Sequence, residues 1–186
     1  PVTLALNRAR FDQFLANQAQ SAGARLVLGS RVQSLLLMDG SVKGVNIRKA
    51  DGSDEKVYSQ IVLDSEGISS RLLRQAGLKG LRTSALVYAV EAEVETVQDI
   101  ELDAVEVYFG KAYAPGFYAW LIPRPDGSAK VGLATNQGDP REYLKRLMFK
   151  HPVASKQLRK SKITHVGYHA ITLGGPISKS YADGFL

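Results

Sequence analysis

The chain has 186 residues, of which 45% are hydrophobic and 23% charged, a composition typical of a folded globular protein. It contains no cysteine, which excludes disulfides, thiolate catalysis and cysteine-ligated zinc or iron–sulfur sites in these residues. The net charge of +6 is compatible with a solvated basic surface, an anionic membrane surface, nucleic acid or a phosphate-bearing ligand. No nucleic-acid-binding motif accompanies this charge, and no apolar run reaches the roughly 18 residues of a transmembrane helix.

The histidines offer little for a metal site. Only three are present, His151, His165 and His169, so histidine ligation would need help from carboxylates. His165 and His169 have the spacing of one helical face, but residues 163–171 alternate in the manner of a strand. The sequence therefore predicts no metal site.

The first part of the chain is predicted as a helix, a β-meander and a second helix. Residues 8–22 carry apolar side chains at helical spacing, and Gly23 supplies a stop. Asp39-Gly40 and Asp51-Gly52 are hairpin signals between apolar runs. A short helix capped by a serine is predicted over 69–76. The predicted strands are 25–28, 31–38, 41–49 and 55–63, and the last of them ends in an apolar run at 61–63 typical of a buried strand.

From residue 84 onward, alternating strands dominate the pattern. Residues 86–94 alternate apolar side chains with glutamates, which indicates a half-buried strand with an acidic outer face. Pro140 begins a helix that runs to about Lys150. The other predicted strands are 104–109, 116–122, 129–134 and 163–172, with a turn at 123–127.

This order of elements predicts an α+β fold in two domains. Residues 1–80 form a β-meander with helices, and residues 81–186 form a mostly antiparallel sheet with one long helix. The boundary is expected near 78–84. Residue 1 is a proline and residues 181–186 end within an apolar run, so the chain is interpreted as an internal piece of a longer protein.

A first motif lies in the predicted meander domain. Arg8 opens the first helix, and the meander ends in Asp64-Ser-Glu-Gly67, followed by Ser70-Arg71. This order resembles the region after the dinucleotide fingerprint in flavoproteins of the p-hydroxybenzoate hydroxylase type. The resemblance implies FAD as cofactor, with Arg8 beside the flavin, the backbone of Val32 at the adenine, and the segment from Asp64 to Gly67 close to the cofactor. A glycine lets backbone approach a ligand closely, and arginine pairs with phosphate in fork geometry. Each residue alone is better explained by an ordinary helix end or turn, so the interpretation depends on their combination.

A second motif lies in the predicted antiparallel sheet. The segment Ala114-Pro-Gly-Phe-Tyr-Ala-Trp-Leu-Ile-Pro-Arg124, which leads into Val131-Gly-Leu133, resembles the signature of the geranylgeranyl reductase family. In that family it borders the cavity where an isoprenoid chain meets the flavin. Two aromatic rings on one strand face suit an apolar cavity that orients a ligand, whereas without the resemblance they would be assigned to the core. The implied substrate-binding residues are Tyr118, Trp120, Pro123 and Gly175.

The resemblance covers nearly the whole chain. Gly174-Gly-Pro176 and Tyr181-Ala-Asp-Gly184 look like the run that leads in this family into a Gly-Asp-Ala motif at the flavin pyrophosphate. That motif and the Gly-x-Gly-x-x-Gly loop are not among these residues. The family often has Phe-Pro-Lys in place of Ile122-Pro-Arg124, and Glu66 replaces a small residue or aspartate. Both departures leave the substrate open.

The resemblance implies a flavin-dependent oxidoreductase that reduces C=C bonds of a prenyl chain on a lipid or pigment precursor. This chain would supply a cavity wall and support near the adenine, and would be inactive alone. No catalytic residue or proton donor is identified, and NAD(P)H and ferredoxin both remain open as reductants. The expected location is the cytoplasm. Basic residues at 145–162 indicate either a solvated surface, the preferred interpretation, or peripheral attachment to the inner face of the cell membrane.

Two other functions stay open at this point. One keeps the flavin but changes the reaction, to a monooxygenase or an electron-transfer flavoprotein–quinone oxidoreductase. An aromatic hydroxylase should lack the pattern of Tyr118, Trp120 and Pro123, and the quinone-linked proteins usually add an iron–sulfur domain. The other is a non-enzymatic lipid-binding module that uses the curved sheet alone.

Overall fold

The computed structural model describes residues 5–81 and 85–186, which fall into two units. The first unit comprises Pro1–Gly80 together with Ile177–Leu186, and the second comprises Leu81–Pro176. The predicted sheet begins at Ser84, which lies outside the described residues together with the rest of 82–84. Each unit has its own cluster of buried apolar side chains.

Helix α1 (Arg8–Ser21) comes first in the first unit, as its apolar spacing predicts. The side-chain oxygen of Asn7 accepts a hydrogen bond from the backbone N–H of Arg10 at 3.1 Å, which satisfies one of the free donors at the helix start. None of the residues of α1 is buried among the described residues, and Phe14 is 55% exposed. The apolar pattern therefore predicts the helix correctly, although residues 5–81 and 85–186 do not bury its apolar face.

The predicted β-meander is confirmed. Strands β1 (Arg31–Met38), β2 (Ser41–Arg48) and β3 (Asp54–Tyr58) form an antiparallel sheet in that order. Helix α2 (Arg71–Gln75), preceded by a 3-10 turn at Gly67–Ser69, contacts β1. The core of this unit contains Leu35, Val42, Leu72, Leu78 and Phe185.

Two details of the predicted strands in this region are wrong: the strand at 25–28 is absent from the described residues, and the strand predicted over 55–63 ends at Tyr58. Residues 25–28 form no strand with any described residue and are exposed. In the run at 61–63, Val62 makes one isolated bridge, while Ile61 and Leu63 are exposed. An apolar run becomes a strand only where a neighbouring strand accepts and donates its backbone hydrogen bonds, and that condition is not visible in local sequence.

The last ten residues belong to the first unit, not to the sheet domain to which the sequence assigns them. Phe185 bridges Val62 in parallel and is only 1% exposed. The backbone N–H of Val62 donates to the carbonyl of Gly184 at 2.9 Å, and that of Asp64 donates to the carbonyl of Leu186 at 2.7 Å. The second domain predicted over 81–186 is therefore corrected to end at Pro176. Residues 177–186 are held instead by Val62 and Asp64, which lie more than a hundred residues earlier.

The second unit is built on a five-stranded sheet, antiparallel throughout. Its strands are β4 (Leu86–Glu95), β5 (Glu106–Phe109), β6 (Tyr118–Pro123), β7 (Ala129–Thr135) and β8 (Lys162–Thr172), and their order is β5-β6-β7-β4-β8. Helix α3 (Pro140–Lys150) contacts β7 and β4. The predicted α+β class, with a mostly antiparallel sheet and one long helix, is confirmed.

A short helix, α4 (Ala154–Leu158), follows α3, and the sequence pattern predicts no separate helix there. Ala154, Gln157 and Leu158 of this helix are buried, so α3 and α4 together cover one face of the sheet. Among the described residues, no helix combines the length and the apolar character needed to cross a membrane.

Candidate functional site

The open face of the five-stranded sheet carries Tyr118 and Trp120. Successive side chains of a strand point to opposite faces. On β6, Ala119 and Leu121 are fully buried in the core with α3 and α4. Tyr118 and Trp120 therefore lie on the other face, as the sequence predicts, and Tyr118 is 37% exposed there.

Trp120 is held in place by its neighbours on this face. Gly132 lies opposite it on β7, and a Cβ atom added to Gly132 would come within 2.6 Å of the indole ring and 2.8 Å of the Val90 carbonyl oxygen. The indole Nε1–H donates to Oε2 of Glu91 at 3.2 Å, and Glu91 is ion-paired with Lys130. The glycine provides the space for the ring, and the carboxylate fixes its orientation.

Tyr118 extends this aromatic surface. Its ring stacks on that of Phe117 with centroids 4.4 Å apart and an angle of 18°. It meets the ring of Trp120 edge-on at 5.9 Å and that of Phe109 at 6.0 Å. The aromatic wall predicted from two residues therefore contains four. The register places Phe109 directly opposite Tyr118, and Phe117, just before β6, stacks on Tyr118.

Charged residues continue this face beyond Trp120. Oε1 of Glu93 accepts from Nη2 of Arg124 at 2.7 Å, and Lys130 lies within 3.9 Å of the same oxygen. The hydrogen bond from Arg124, with the positive charges of Arg124 and Lys130, lowers the pKa of Glu93. On the acidic face predicted for β4, Glu91 and Glu93 are thus paired with cations. Its partners on β6 and β7 could be recognised only once the register was known.

Pro123 and Gly175 do not join Tyr118 and Trp120 in one wall. Pro123 is buried and follows Ala119 and Leu121 in alternation, so it lies on the helix-covered face. Gly175 comes shortly after β8, whose last residue lies at the same end of the strands as Tyr118. Strands β6 and β8 are three spacings apart, about 14 Å, so Gly175 is separated from the aromatic cluster.

In the first unit, Arg71 binds the backbone next to Val32. Its guanidinium donates to the carbonyl of Val32 at 2.6 Å and also to the carbonyl of Gln33. The pairing of β1 with β2 shifts between Val32 and Ser34, so Arg71 satisfies carbonyls at an irregularity of the strand. The backbone of Val32 is predicted to lie at an adenine, and its carbonyl is already hydrogen-bonded to Arg71, which leaves other groups of this backbone for a ligand.

Asp64, Glu66 and Gly67 form a hydrogen-bonded turn before α2. Oδ1 of Asp64 accepts from the backbone N–H of Glu66 at 3.0 Å, and burial raises the pKa of Asp64. Gly67 has φ +69°, in the left-handed region that favours glycine, and a Cβ atom there would meet nothing within 4 Å. The turn thus leaves open space beside the Gly67 backbone, a geometry that a closely approaching ligand requires.

The predicted serine cap of the second helix is wrong, and Glu66 replaces it. Ser70 has φ 47° and makes no side-chain cap, whereas Oε1 of Glu66 accepts from the backbone N–H of Leu72 at 2.5 Å. Burial raises the pKa of Glu66, but hydrogen bonds from Ser69, Leu72 and Leu73 outweigh it and lower the pKa. The glutamate that departs from the family pattern therefore has a structural role.

Arg8 lies at the start of α1 and is exposed. Its guanidinium forms two hydrogen bonds of 3.1 Å with Asp12, one turn along the helix. The side chain is 74% exposed, so this surface pair holds it weakly. Arg8 is accessible to an anionic group.

Two family models match the sequence. The model of the geranylgeranyl reductase catalytic domain matches residues 86–170, which include β4 to β7 and most of β8. The tryptophan halogenase model matches residues 2–123, which include the meander unit and the aromatic strand β6.

Individual relatives agree with these matches. A digeranylgeranylglycerophospholipid reductase of Methanothermobacter thermautotrophicus is 34% identical over 187 residues, which cover 97% of this chain and 46% of that protein. The crystal structure of a geranylgeranyl bacteriochlorophyll reductase-like protein from Thermoplasma acidophilum superposes with a TM-score of 0.87 at 26% identity, over 100% of this chain and 49% of that one. A flavin-dependent brominase shares the fold, with a TM-score of 0.80 at 19% identity over 99% of this chain and 49% of its own. The chain spans about half the length of the curated relatives it matches.

Proposed function

Because the chain belongs to the geranylgeranyl reductase family, within the flavoprotein group that also includes the flavin-dependent halogenases, we propose that the full-length protein is a flavin-dependent reductase of prenyl C=C bonds. The observation that carries this proposal is the aromatic wall of Tyr118 and Trp120, with its glycine and carboxylate support. The proposed substrate is a prenyl chain on a lipid, the class of molecule named in the curated relative from Methanothermobacter thermautotrophicus.

The wall suits an apolar chain whose position must be fixed. The stacked and edge-on rings present carbon surface, and an isoprenoid chain offers nothing but carbon surface to recognise. The indole N–H of Trp120 already donates to Glu91, so it needs no hydrogen-bond acceptor on the substrate. These residues would bind the chain, hold it in one orientation and exclude water from it.

The cofactor proposed for the full-length protein is FAD, which supplies hydride transfer when bound. The residues of the first unit fit such a ligand on two observations. Arg8 is exposed and only weakly paired, and the turn at Gly67 is open to close approach. We assign Arg8, Val32, Asp64 and Gly67 to the cofactor side, with Val32 acting through backbone groups other than its carbonyl bound by Arg71.

The substrate side is assigned to Tyr118 and Trp120 as direct contacts. Pro123 and Gly175 remain proposed substrate-site residues, but their positions favour shaping the site over touching the substrate. Pro123 ends β6 on the buried face, and Gly175 allows a turn with φ +70° after β8. No residue of the described chain is assigned as the proton donor or as the binding site of the reductant.

The range of the reductase match favours reduction over halogenation. That match continues from residue 124 to 170 through β7, α3 and β8, whereas the halogenase match ends at residue 123. Strand β7 contributes Gly132, which makes room for the Trp120 ring, and Lys130, which pairs with the Glu91 that binds the indole.

The proposed function is tested with the full-length protein. The protein should purify with bound FAD, seen in its absorption spectrum. After chemical reduction of the flavin, a digeranylgeranyl phospholipid should be converted to a product two hydrogen atoms heavier for each bond reduced, measured by mass spectrometry. A protein that binds no flavin even after reconstitution, or a reduced flavin that leaves the prenyl lipid unchanged, contradicts the proposal.

Because the proposed substrate is a lipid, we also propose that the protein is cytoplasmic and attaches peripherally to the inner face of the cell membrane. The support is the basic composition of residues 145–162. Nucleic acid is not proposed as a partner.

A further inference from the structure

Basic side chains are concentrated in α3, α4 and the turn that follows them. Residues 140–162 carry eight basic side chains and one acidic side chain. The other 163 residues carry sixteen basic and seventeen acidic ones. These 23 residues therefore account for the whole positive net charge, and all eight of their basic residues are exposed.

An apolar ring lies in the middle of this charge. Phe149 is 62% exposed on the outward side of α3, and Val153, in the turn after the helix, is 50% exposed. Residues three and four positions apart are neighbours on a helix surface, so Arg146 and Lys145 flank Phe149. The opposite side of α3 is the buried one and carries Leu144, Leu147 and Met148.

A groove of about 360 Å³ opens beside Phe149, between α3 and β8. Arg141 and Lys145 stand at its rim, where each is paired with an acidic neighbour, Asp139 or Glu142. An apolar groove under a charged rim matches a lipid, which has a hydrocarbon chain below a polar headgroup. The apolar lining is supplied from both sides, by Leu144, Met148, Phe149, Ile163 and Val166.

Further along, four of the cations form no ion pair with any described residue. Lys150, Lys156, Arg159 and Lys160 take part in no salt bridge within residues 5–81 and 85–186. Like charges that are held together and unpaired repel one another, and an anionic surface relieves that repulsion. Each basic residue near such a surface strengthens binding by roughly fivefold.

The chemistry of this surface distinguishes between partners. Lysine is depleted at the centre of protein–protein interfaces, which argues against a protein partner for a surface with five lysines. Nucleic-acid grooves stack successive bases on several aromatic rings, and within 140–162 Phe149 is the single exposed aromatic ring. Exposed apolar side chains surrounded by Lys and Arg are typical of helices that lie in a membrane interface.

We propose that α3 and α4 dock the protein on an anionic lipid surface, where Phe149 and Val153 enter the interface and the surrounding Lys and Arg side chains meet the headgroups. The purpose of docking, access to a prenyl lipid, depends on the proposed function. The binding itself does not, and it is measured without any turnover.

The test is sedimentation of the full-length protein with vesicles of phosphatidylcholine, either alone or with about 30% phosphatidylglycerol, an anionic lipid. Binding is expected only with the anionic vesicles and should weaken in high salt. A variant with Lys145→Gln, Arg146→Gln and Lys150→Gln should bind roughly a hundredfold more weakly, the product of three fivefold losses. Phe149→Ser should weaken binding in a way that salt does not change.

The matched control removes three exposed lysines from the first unit, Lys43→Gln, Lys56→Gln and Lys79→Gln, and should bind as the unchanged protein does. Equal losses in both triple variants would show a general charge effect and overturn the proposal. So would unchanged binding of the α3 variant, or tighter binding to duplex DNA than to the anionic vesicles. If the α3 variant does not fold, as judged by circular dichroism, the triple change Lys156→Gln, Arg159→Gln and Lys160→Gln is used in its place.

Reduction of the prenyl lipid in detergent micelles separates the two proposals. The α3 variant should keep its activity in micelles and lose it in vesicles. An unchanged protein that reduces nothing in either system contradicts the proposed function, while the sedimentation result still decides whether the surface docks on lipid.

Discussion

The two faces of the five-stranded sheet differ in what covers them and in the charge they carry, although the same strands supply both. Toward α3 and α4 the side chains are apolar and closed off from solvent, as at Leu121 and Val131. On the other face, Trp120 lies over Gly132 and Glu91 is ion-paired with Lys130. The first face supplies the larger core of this unit. The second adds a small buried cluster of Val87, Ala89 and Ala134 and presents its aromatic and charged side chains to a ligand.

Strand alternation is what allows this division. Because the side-chain period of a strand is two, adjacent residues in one strand can serve folding and binding independently. Substitutions one residue apart should therefore differ in their main effect, which is on stability for the helix-covered face and on the aromatic and charged side chains for the other.

The largest effect is expected at Leu121, on the helix-covered face. Leu121→Ala should lower the free energy of unfolding by about 3 kcal/mol, because it removes buried methyl groups and leaves a cavity. Ile122→Ala, one residue along on the half-buried open face, serves as the control and should cost clearly less. Urea titration measures both. Equal costs would mean that the two faces contribute alike to stability.

A smaller but more diagnostic effect is expected at Gly132, on the open face. Gly132→Ala places a Cβ atom 2.6 Å from the indole ring, so Trp120 must move, at a cost of about 2 kcal/mol. Trp120 is the only tryptophan among these 186 residues, so the emission spectrum of the chain reports its displacement.

Gly167→Ala is the matched control for this change. Gly167 lies on the same face of β8, and its added Cβ atom would meet mainly the mobile end of the His169 side chain, at 3.2 Å. The tryptophan emission should stay unchanged in this variant. A shift of equal size in both variants would show that the indole is not held by Gly132.

How far the sequence predicted these features depends on the distance between the interacting residues. Helix α3 follows from Pro140, as the sequence predicts. The structure adds a cap at Asp139, whose side chain accepts from the backbone N–H of Arg141 at 2.9 Å. Strand β6 and the shared face of Tyr118 and Trp120 follow from alternation alone. These signals all lie within a few residues of one another.

The features that the sequence missed depend on long-range register or on a special backbone angle. The bond from Trp120 to Glu91 joins residues 29 positions apart and exists only because β7 lies between their strands. Phe185 packs against Val62, more than a hundred residues earlier. Ser70 fails as a helix cap because its φ is 47°, an angle that residue type does not reveal.

A further expected effect concerns the aromatic wall in the full-length protein. Trp120→Ala should slow reduction of a prenyl substrate by about tenfold, the value of roughly 1.4 kcal/mol of lost contact, while flavin content stays nearly unchanged. Tyr118→Phe keeps the ring and should cost less than Tyr118→Ala, since stacking on Phe117 is retained. Rates come from mass spectrometry of the lipid, and flavin content comes from absorption. Equal loss of flavin in all three variants would mark these rings as structural core.

The smallest effect on the free energy of unfolding is expected at His151, which lies on the helix-covered face. A substitution there tests whether this face makes stability depend on pH. Nδ1 of His151 accepts hydrogen bonds from the backbone N–H groups of Val153 at 3.3 Å and Ala154 at 3.2 Å, at the start of α4, so a proton on Nδ1 would break both. Burial lowers the pKa of His151 below its ordinary value of 6.5, against a smaller opposing effect of Glu106. As the pH falls, the unfolded chain therefore takes up the proton first. The stability contributed by neutral His151 is complete above pH 6.5 and is lost as the pH falls from there through the lower folded-state pKa. His151→Asn keeps a short polar side chain without this titration, and its unfolding free energy should vary less between pH 7 and pH 5 than that of the unchanged protein. Parallel pH profiles for the two proteins would show that this histidine does not contribute to the pH dependence.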